Sequence, residues 1–408
     1  MTFCSKSAIC TSLLWALVML LSGCGGGASS GTSAQAIVPT GPNEHRVYVD
    51  SGPAGTGYNA NRLYTDVTIC QAGNSANCQT IVHVLVDTGS TGLRILSTLL
   101  NPALGLRAIS APGGQPLLGC VQFVDNSFAW GPLALADVKL GAKAVSNLPV
   151  QLIADPAFRS LASNCSSGTE ITAPDTLGAN GILGIGLFKD DCGSACESNP
   201  LNGFYYTCTS SSCATARGTI VSRNQQAQNP IPMFASDNNG VAIELPAVGT
   251  DPAPGLSGKM VFGIGTRPNT LPVQGRVLIA DSRGNVTTIF EGRSMARSFI
   301  DSGSNGLYFD TATLPLCSGA SGFYCPASLT ALTATMVGSN GSTIRVGFNV
   351  DHAVNSFTSS NPVLPNLAGT FGTAASFDWG LPFFYGRRVF FGIEGMPSPV
   401  GAGPFYAF

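Results

Sequence analysis

The chain contains one eight-residue phrase twice, as VDTGSTGL at residues 86–93 and as IDSGSNGL at residues 300–307. Each copy places an aspartate, Asp87 or Asp301, between an apolar run and a Gly-rich turn, and the two aspartates are 214 residues apart. This separation is about the length of one domain, so two similar halves can each supply one carboxyl group. Two carboxyl groups about 3 Å apart cannot both ionise and therefore share one proton. The pattern predicts acid–base chemistry on a bound water molecule.

The residues that follow each aspartate can hold such a pair of carboxyl groups in place. A glycine two positions on allows a sharp turn and brings its amide to a carboxylate. A serine three positions on can donate its hydroxyl to an outer carboxylate oxygen, and the Thr or Ser before the glycine can brace one turn against the other. The alternative is a pair of Asx turns in a β-rich protein, which explains one copy more easily than two. The predicted supporting residues are Thr88, Gly89, Ser90, Ser302, Gly303 and Ser304.

The composition favours an all-β protein with a large core. The 408 residues include 50 Gly and 26 Pro, and only 10% are charged. The nearly unbroken β-branched run at residues 81–86 predicts a buried strand that ends at Asp87. A hairpin is predicted over residues 123–140, with its turn at Gly131-Pro132. Helical periodicity is scarce, and residues 97–106 and 328–336 are the best short candidates.

Two functional classes find little support in the sequence. The net charge is −2 with only 20 basic residues, so the chain lacks the basic stripe that a nucleic-acid partner requires. The three histidines, His45, His83 and His352, do not show the helical spacing of metal ligands. We therefore predict no nucleic-acid partner, no metal and no other cofactor.

The N-terminus has the pattern of an export signal. An apolar run at residues 13–21 is too short to span a bilayer and leads into LSGC, which ends at Cys24. This ending resembles the bacterial lipobox, which implies cleavage after Gly23 and a lipid on Cys24; the alternative is an ordinary secretory signal with a chance cysteine. The expected organisation is a signal peptide at 1–23 and a flexible tether at 24–45. The expected location is the bacterial cell envelope, lipid-anchored at the outer membrane and facing the periplasm or the exterior.

Ten cysteines remain once the signal peptide and Cys24 are set aside, and an even number in an exported chain indicates disulfides. The expected pairs are Cys70–Cys78, Cys317–Cys325 and Cys120–Cys165. The other four cysteines are Cys192, Cys196, Cys208 and Cys213. They could form two disulfides or a four-thiolate zinc site, and an oxidising compartment favours the disulfides. Which of the four pair with each other stays open.

Beyond the two aspartate phrases, three further segments resemble the pepsin-like aspartic peptidases. GILG at residues 181–184 resembles the element that closes the loop of the first lobe, and WGLPF at 379–383 resembles its counterpart in the second. GKMVFG at 258–263 resembles the strand that opens the second lobe. The lipobox and the Cys-rich insert fit a poorly characterised bacterial branch of lipoproteins with this fold. The resemblance implies a bilobal, pseudo-two-fold double β-barrel or sandwich with a cleft between lobes at 46–248 and 249–408.

The sequence departs from the family pattern at two places. The flap hairpin of the family carries a Tyr-Gly pair, and this chain has Trp130-Gly131 there. Trp130 either covers the cleft as a flap residue or packs at the base of its hairpin. The second closing element reads Asp378-Trp379-Gly380, where two aliphatic residues and Gly are expected.

The resemblance implies an aspartic endopeptidase in which Asp87 and Asp301 activate water, without a metal or a covalent intermediate. Its partner would be an extended peptide or an unfolded protein, which adds to the cleft like a strand. The alternative is a catalytically inactive lipoprotein of the same fold that binds protein or glycan ligands.

Overall fold

The computed structural model describes residues 36–209, 212–272 and 276–408. The predicted signal peptide at 1–23 and the lipid-attachment residue Cys24 lie outside the described residues. Within the described part of the chain, no helix is both long and apolar enough to cross a bilayer.

The described residues form 23 strands and three short α-helices, which confirms the predicted all-β class. The strands are β1 (Glu44–Val49), β2 (Tyr64–Gln71), β3 (Asn74–Asp87), β4 (Thr91–Leu96), β5 (Arg107–Ala108), β6 (Leu117–Gln122), β7 (Ser127–Leu140), β8 (Lys143–Ile153), β9 (Thr169–Glu170), β10 (Gly181–Ile185), β11 (Tyr205–Thr207), β12 (Gly240–Glu244), β13 (Leu256–Phe262), β14 (Val277–Ile279), β15 (Val286–Phe290), β16 (Arg293–Ile300), β17 (Leu307–Phe309), β18 (Thr330–Val337), β19 (Thr343–Val350), β20 (Ala368–Gly369), β21 (Phe377–Trp379), β22 (Arg388–Gly392) and β23 (Phe405–Ala407). The helices are α1 (Pro174–Leu177), α2 (Ser194–Ser198) and α3 (Ala353–Thr358).

These strands form two sheets. The larger has 16 strands in the order β11-β6-β7-β8-β4-β10-β3-β2-β1-β13-β12-β22-β23-β14, with β5 and β9 added along β7. The smaller has seven strands in the order β19-β18-β15-β16-β21-β17-β20. β1 pairs with β2 on one side and with β13 on the other. The larger sheet therefore contains strands from both halves of the chain. The predicted boundary at residue 248 lies between β12 and β13; the two lobes, their pseudo-two-fold symmetry and the cleft stay predictions.

The two helical predictions are wrong. Residues 97–106 hold only two 3₁₀ turns, Ser97–Leu99 and Pro102–Leu104. Residues 328–336 lead into β18, where Ala334 and Met336 are buried and Thr335 between them is partly exposed. This alternation is the two-residue period of a strand, and β18 pairs with both β15 and β19.

The predicted hairpin over residues 123–140 turns at a different place. β7 continues through Gly131 and Pro132, and its connections to β6 and β8 lie at residues 123–126 and 141–142. At this point the strand changes partner, because Pro132 pairs with β6 and Leu133 pairs with β8. A Cβ on Gly131 would lie 1.9 Å from the Leu152 carbonyl oxygen, so the glycine permits a close approach of two strands.

Five disulfides connect the ten described cysteines and confirm the three predicted pairs. They are Cys70–Cys78, Cys120–Cys165, Cys192–Cys196, Cys208–Cys213 and Cys317–Cys325. The four clustered cysteines thus pair with their nearest neighbours in sequence, as two small loops.

Candidate active site

The first aspartate turn, residues 87–90, is held by three strands. β3 delivers Asp87, β4 leaves the turn, and β10 runs between them, parallel to β3 and antiparallel to β4. Gly184 of β10 is in register with both Asp87 and Gly92. A Cβ on Gly184 would lie 2.7 Å from the backbone of Thr91, so the closing strand needs a glycine here to fit inside the turn.

The second aspartate turn, residues 301–304, is held in the same way. β16 leads to Asp301, β17 follows the turn, and β21 runs between them, parallel to β16 and antiparallel to β17. Trp379 is in register with both Ile300 and Leu307. A Cβ on the next residue, Gly380, would lie 2.1 Å from the Gly306 carbonyl oxygen. Both predicted closing elements therefore lie where the resemblance implied, one inside each turn.

The two turns bring the predicted carboxyl groups together. The Gly89 amide lies 2.9 Å from Oδ1 of Asp87 and 3.0 Å from Oδ1 of Asp301, and it donates to both. Since both oxygens contact one nitrogen, they can be no farther apart than the sum of those two distances. The Gly303 amide donates to Asp301 Oδ1 at 2.8 Å. Asp87 and Asp301 are 7% and 6% exposed, so each keeps a small opening to solvent.

A serine hydroxyl holds the outer oxygen of each aspartate, as predicted from the sequence. Ser90 Oγ donates to Asp87 Oδ2 at 2.5 Å. Ser304 Oγ donates to Asp301 Oδ2 at 3.0 Å. Each carboxyl group thus has one oxygen fixed by a backbone amide and the other by a hydroxyl, which fixes the plane of the carboxyl group.

Thr88 and Ser302 brace the two turns against each other through buried hydrogen bonds. The Ser302 amide donates to Thr88 Oγ1 at 2.8 Å, and the Thr88 amide donates to Ser302 Oγ at 3.2 Å. Ser302 Oγ in turn donates to the Val86 carbonyl at 2.7 Å. The reciprocal pattern fixes the separation of the two turns, because neither can move without breaking hydrogen bonds in the interior.

The electrostatics of the site favour a protonated acid. Burial raises the pKa of Asp301 well above its usual range, and the negative charges of Asp87 and Asp378 raise it further. Two buried carboxyl groups in contact titrate as one unit, so the pair keeps a proton at pH values where an exposed aspartate has none.

A third acid, Asp378, lies beside the pair and was assigned no role from the sequence. Its side chain is 1% exposed, and its Oδ1 atom is buried without a hydrogen-bond partner. Burial raises the pKa of Asp378 to about 8, the Ser304 hydroxyl opposes this shift, and the charge of Asp87 adds to it. The sequence signal was an acidic residue in the apolar second closing element, where the first closing element has Ile182.

Trp130 does not take the flap position predicted as one alternative. Its side chain is 1% exposed, and its indole N–H donates to the Phe158 carbonyl at 2.9 Å. The ring packs at 5.6 Å from the ring of Tyr206, in the cluster that contains the Cys120–Cys165 disulfide. Gly131 lies inside β7 and forms no hairpin tip. The structure therefore corrects the flap assignment of Trp130 and Gly131 and agrees with a packing role.

No group of three metal-ligating side chains is arranged to hold an ion within residues 36–209, 212–272 and 276–408. The residues that the two turns bring together offer carboxyl groups, hydroxyls and two glycine amides.

Comparison with known proteins identifies the family. The family model described as "Protein of unknown function (DUF3443)" matches residues 39–408, and the chain belongs to this family. No curated protein matches the chain.

Proposed function

We propose that this member of the DUF3443 family is an aspartic endopeptidase whose reacting groups are Asp87 and Asp301. The observation that carries the proposal is the shared Gly89 amide, which contacts one oxygen of each aspartate. Two acids held this closely share a proton, so one is a base while the other is an acid. The resemblance of both turns and both closing elements to pepsin-like peptidases supports the same chemistry.

In the proposed reaction, the ionised member of the pair takes a proton from a water molecule that lies between the two carboxyl groups. The protonated member donates to the carbonyl oxygen of the peptide bond, which stabilises the negative charge that develops there. The water oxygen bonds to the carbonyl carbon as the carbonyl π bond opens, which gives a tetrahedral intermediate. The carboxyl group that took the water proton then gives it to the nitrogen, the carbon–nitrogen bond breaks, and the products are a carboxylic acid and an amine. The serine hydroxyls and glycine amides fix the orientation of each carboxyl group through these transfers.

The proposed substrate is an extended peptide or an unfolded protein. A pair of carboxyl groups fixed between two turns needs a substrate whose backbone can lie extended across both.

We also propose that the protein is a lipoprotein of the bacterial cell envelope, anchored at the outer membrane through Cys24. Incorporation of labelled palmitate in a bacterial host, lost in Cys24→Ala, tests the anchor; labelling that persists would contradict it.

The main test is cleavage of an unfolded protein between pH 3 and pH 8, with and without pepstatin. Asp87→Asn and Asp301→Asn should each lower kcat by about 10²–10⁴-fold, because each removes a group that moves a proton. Asp251→Asn is the matched control, since Asp251 is an exposed acid away from the pair. Circular dichroism and thermal melting should show that all three variants fold.

Two outcomes would contradict the proposal. One is cleavage that survives both Asp87→Asn and Asp301→Asn; the other is a folded wild-type protein that cleaves nothing at any pH. In the second case, binding of an unfolded protein or a glycan by the wild type and by the double Asn variant would favour the alternative of an inactive binding protein.

A further inference from the structure

A cavity of about 260 Å³ lies between the linker that follows β12 and the segment that leads into β22. Apolar side chains such as Val248, Phe348 and Phe383 form much of its wall, and Asn349 and Arg387 add polar groups. Among the described residues that line it, none is acidic and none belongs to the aspartate turns at 87–90 and 301–304. The cavity is therefore not part of the site described above. Its volume is just below the range of about 300–1,000 Å³ that is usual for small-molecule sites, so it suits a small ligand.

Arg387 brings a positive charge to this cavity without a negative partner. Within the described part of the chain it takes part in no ion pair, and its guanidinium donates one hydrogen bond, from Nη1 to the Phe383 carbonyl at 2.6 Å. The remaining residues, 1–35, 210–211 and 273–275, contain no Asp or Glu. The next residue differs, because the Arg388 guanidinium forms an ion pair with Glu244 at 2.6 Å. No side-chain carboxylate of the chain therefore neutralises Arg387.

The surroundings of Arg387 make the arrival of an anion favourable. The side chain is partly buried, and burial lowers the pKa of the guanidinium because the charged form loses contact with water. The guanidinium carbon lies 4.7 Å from the centre of the Phe383 ring, which attracts the cation to its face. A guanidinium has five N–H donors, and the Phe383 carbonyl occupies one of them. An anion in the cavity would gain charge-assisted hydrogen bonds from donors that are already in place.

The lining of the cavity restricts the chemistry of this anion. A guanidinium binds carboxylates and phosphates through two parallel hydrogen bonds. A carboxylate carries one charge, which Arg387 alone balances, whereas a phosphate group carries up to two. The apolar wall favours a ligand whose remaining atoms are apolar, because their burial removes apolar surface from water. Asn349 of β19 has no side-chain hydrogen bond within the described residues, so its amide is a second donor for the carboxylate.

We propose that this cavity binds a small organic acid that has one carboxylate and an apolar group. The carboxylate accepts hydrogen bonds from Arg387 and Asn349, and the apolar group packs against Val248, Phe348 and Phe383. The acid is either a free molecule or the C-terminal end of a peptide whose last residue is apolar, since both present the same chemistry. The proposal goes beyond the function proposed above and does not depend on it, because neither Asp87 nor Asp301 lines the cavity.

Isothermal titration calorimetry with three probes tests the ligand chemistry. N-Acetyl-L-phenylalanine represents a peptide end, 3-phenylpropionate represents a free acid, and N-acetyl-L-phenylalanine amide lacks the charge. Both acids should bind saturably, and the amide and inorganic phosphate should each bind at least about tenfold more weakly. The acid that binds more tightly identifies the source. An amide that binds as well as its acid, or the absence of saturable binding by both acids, would overturn the proposal.

Variants of the same protein test the location. Arg387→Met should weaken the binding of both acids at least about tenfold, because it removes the charge and keeps an apolar chain of similar length. Arg283→Met is the matched control, since Arg283 is exposed in the turn between β14 and β15 and should not affect binding. Asn349→Asp leaves Arg387 in place and adds a negative charge, so it should weaken the acids about tenfold and leave the amide unchanged.

Thermal melting shows which variants fold, and Asn349→Asp tests the location even if Arg387→Met does not fold. Asp301→Asn should bind both acids as the wild type does, whether or not the protein cleaves peptides. Affinity that is lost in Asp301→Asn and kept in Arg387→Met would place the probes at the two aspartates and overturn the proposal. Unchanged affinity in both Arg387→Met and Asn349→Asp would also overturn it.

Discussion

The two aspartate turns have the same strand pairing but different surroundings. In each, the closing strand is parallel to the strand before the aspartate and antiparallel to the strand after it. The first closing strand brings Ile182 to the place where the second brings Asp378. The first turn is therefore closed by apolar side chains, and the second contains an additional acid. Similar backbones can thus place two carboxyl groups in different electrostatic surroundings.

The turns also differ in how their glycine amides are used. The Gly89 amide donates to both aspartates, whereas the Gly303 amide donates to Asp301 alone. The first turn therefore positions both carboxyl groups, whereas the second turn positions only the carboxyl group of Asp301. Three predictions test this difference between the two turns.

The largest loss of kcat is expected when the Gly89 amide, which donates to both aspartates, is displaced. A Cβ on Gly89 would lie 2.7 Å from Asp301 Cγ, and a Cβ on Gly303 would lie 2.8 Å from Asp87 Oδ1. Both additions push the carboxyl groups apart, but only Gly89→Ala also moves the amide that both share. We expect Gly89→Ala to lower kcat about 10²-fold, the cost of misplacing reacting groups by about 1 Å. Gly303→Ala should lower kcat less.

Steady-state kinetics on folded protein check this prediction. Gly347→Ala is the control, because a Cβ there meets no atom within 4 Å and the residue lies in a strand. Equal losses in Gly89→Ala and Gly303→Ala would show that the two turns position the pair equally.

A smaller effect is expected from the two serines. Ser90→Ala and Ser304→Ala each remove a hydroxyl from a carboxylate oxygen, and a hydrogen bond to a charged group contributes about 1.5–3 kcal/mol, so each should lower kcat/KM about tenfold or more. Of these two serines, Ser304 is the one whose hydroxyl lowers the pKa of Asp378. In double-variant cycles with Asp378→Asn, Ser304→Ala should therefore show coupling, while Ser90→Ala should be additive. Coupling of similar size for both serines would contradict the difference between the turns.

The third prediction concerns the pH dependence of stability and not catalysis. The pKa of Asp378 is about 8 in the folded protein and 3.8 in an ordinary aspartate, so the native state holds a proton that the unfolded state releases. The free energy of unfolding therefore falls as the pH rises from about 4 to about 8, by at most about 1.4 kcal/mol per pH unit for this group. Asp378→Leu removes this pH-dependent contribution to the free energy of unfolding. It also makes the second closing strand apolar, like the first.

Urea denaturation at several pH values measures this difference. The stability of Asp378→Leu relative to the wild type should increase with pH across the window, whatever steric cost the leucine adds at every pH. A difference that does not vary with pH would indicate that Asp378 is ionised in the folded protein.

The sequence predicted that Asp87 and Asp301 lie together because a repeated local phrase determines a repeated local turn. The pairs Cys70–Cys78, Cys120–Cys165 and Cys317–Cys325 were predicted from their spacing, and the low charge and many glycines predicted the all-β class. Asp378 was visible as an acid between Phe377 and Trp379, but its proximity to Ser304 depends on the register of β21 with β16 and β17. Register is a tertiary property, and short-range patterns do not contain it.

The wrong predictions have similar causes. The Gly131-Pro132 pair has the composition of a turn, yet it lies where β7 exchanges one partner strand for another. Ala and Thr in residues 328–336 are compatible with a short helix, and only pairing with β15 and β19 makes the segment a strand. Trp130 was compared with a flap residue by its distance from Asp87, and a distance along the chain does not show which side of a sheet a ring occupies.

The position of β1 has a consequence for the integrity of the molecule. This strand comes first among the described strands, yet it fills the gap between β2 and β13. A protease that cleaved the chain between β12 and β13 would leave two fragments that backbone hydrogen bonds hold together. Activity should therefore survive this cleavage. Expression of residues 249–408 alone would instead remove both neighbours of β13, which are β1 and β12, and its two bare edges would favour self-association.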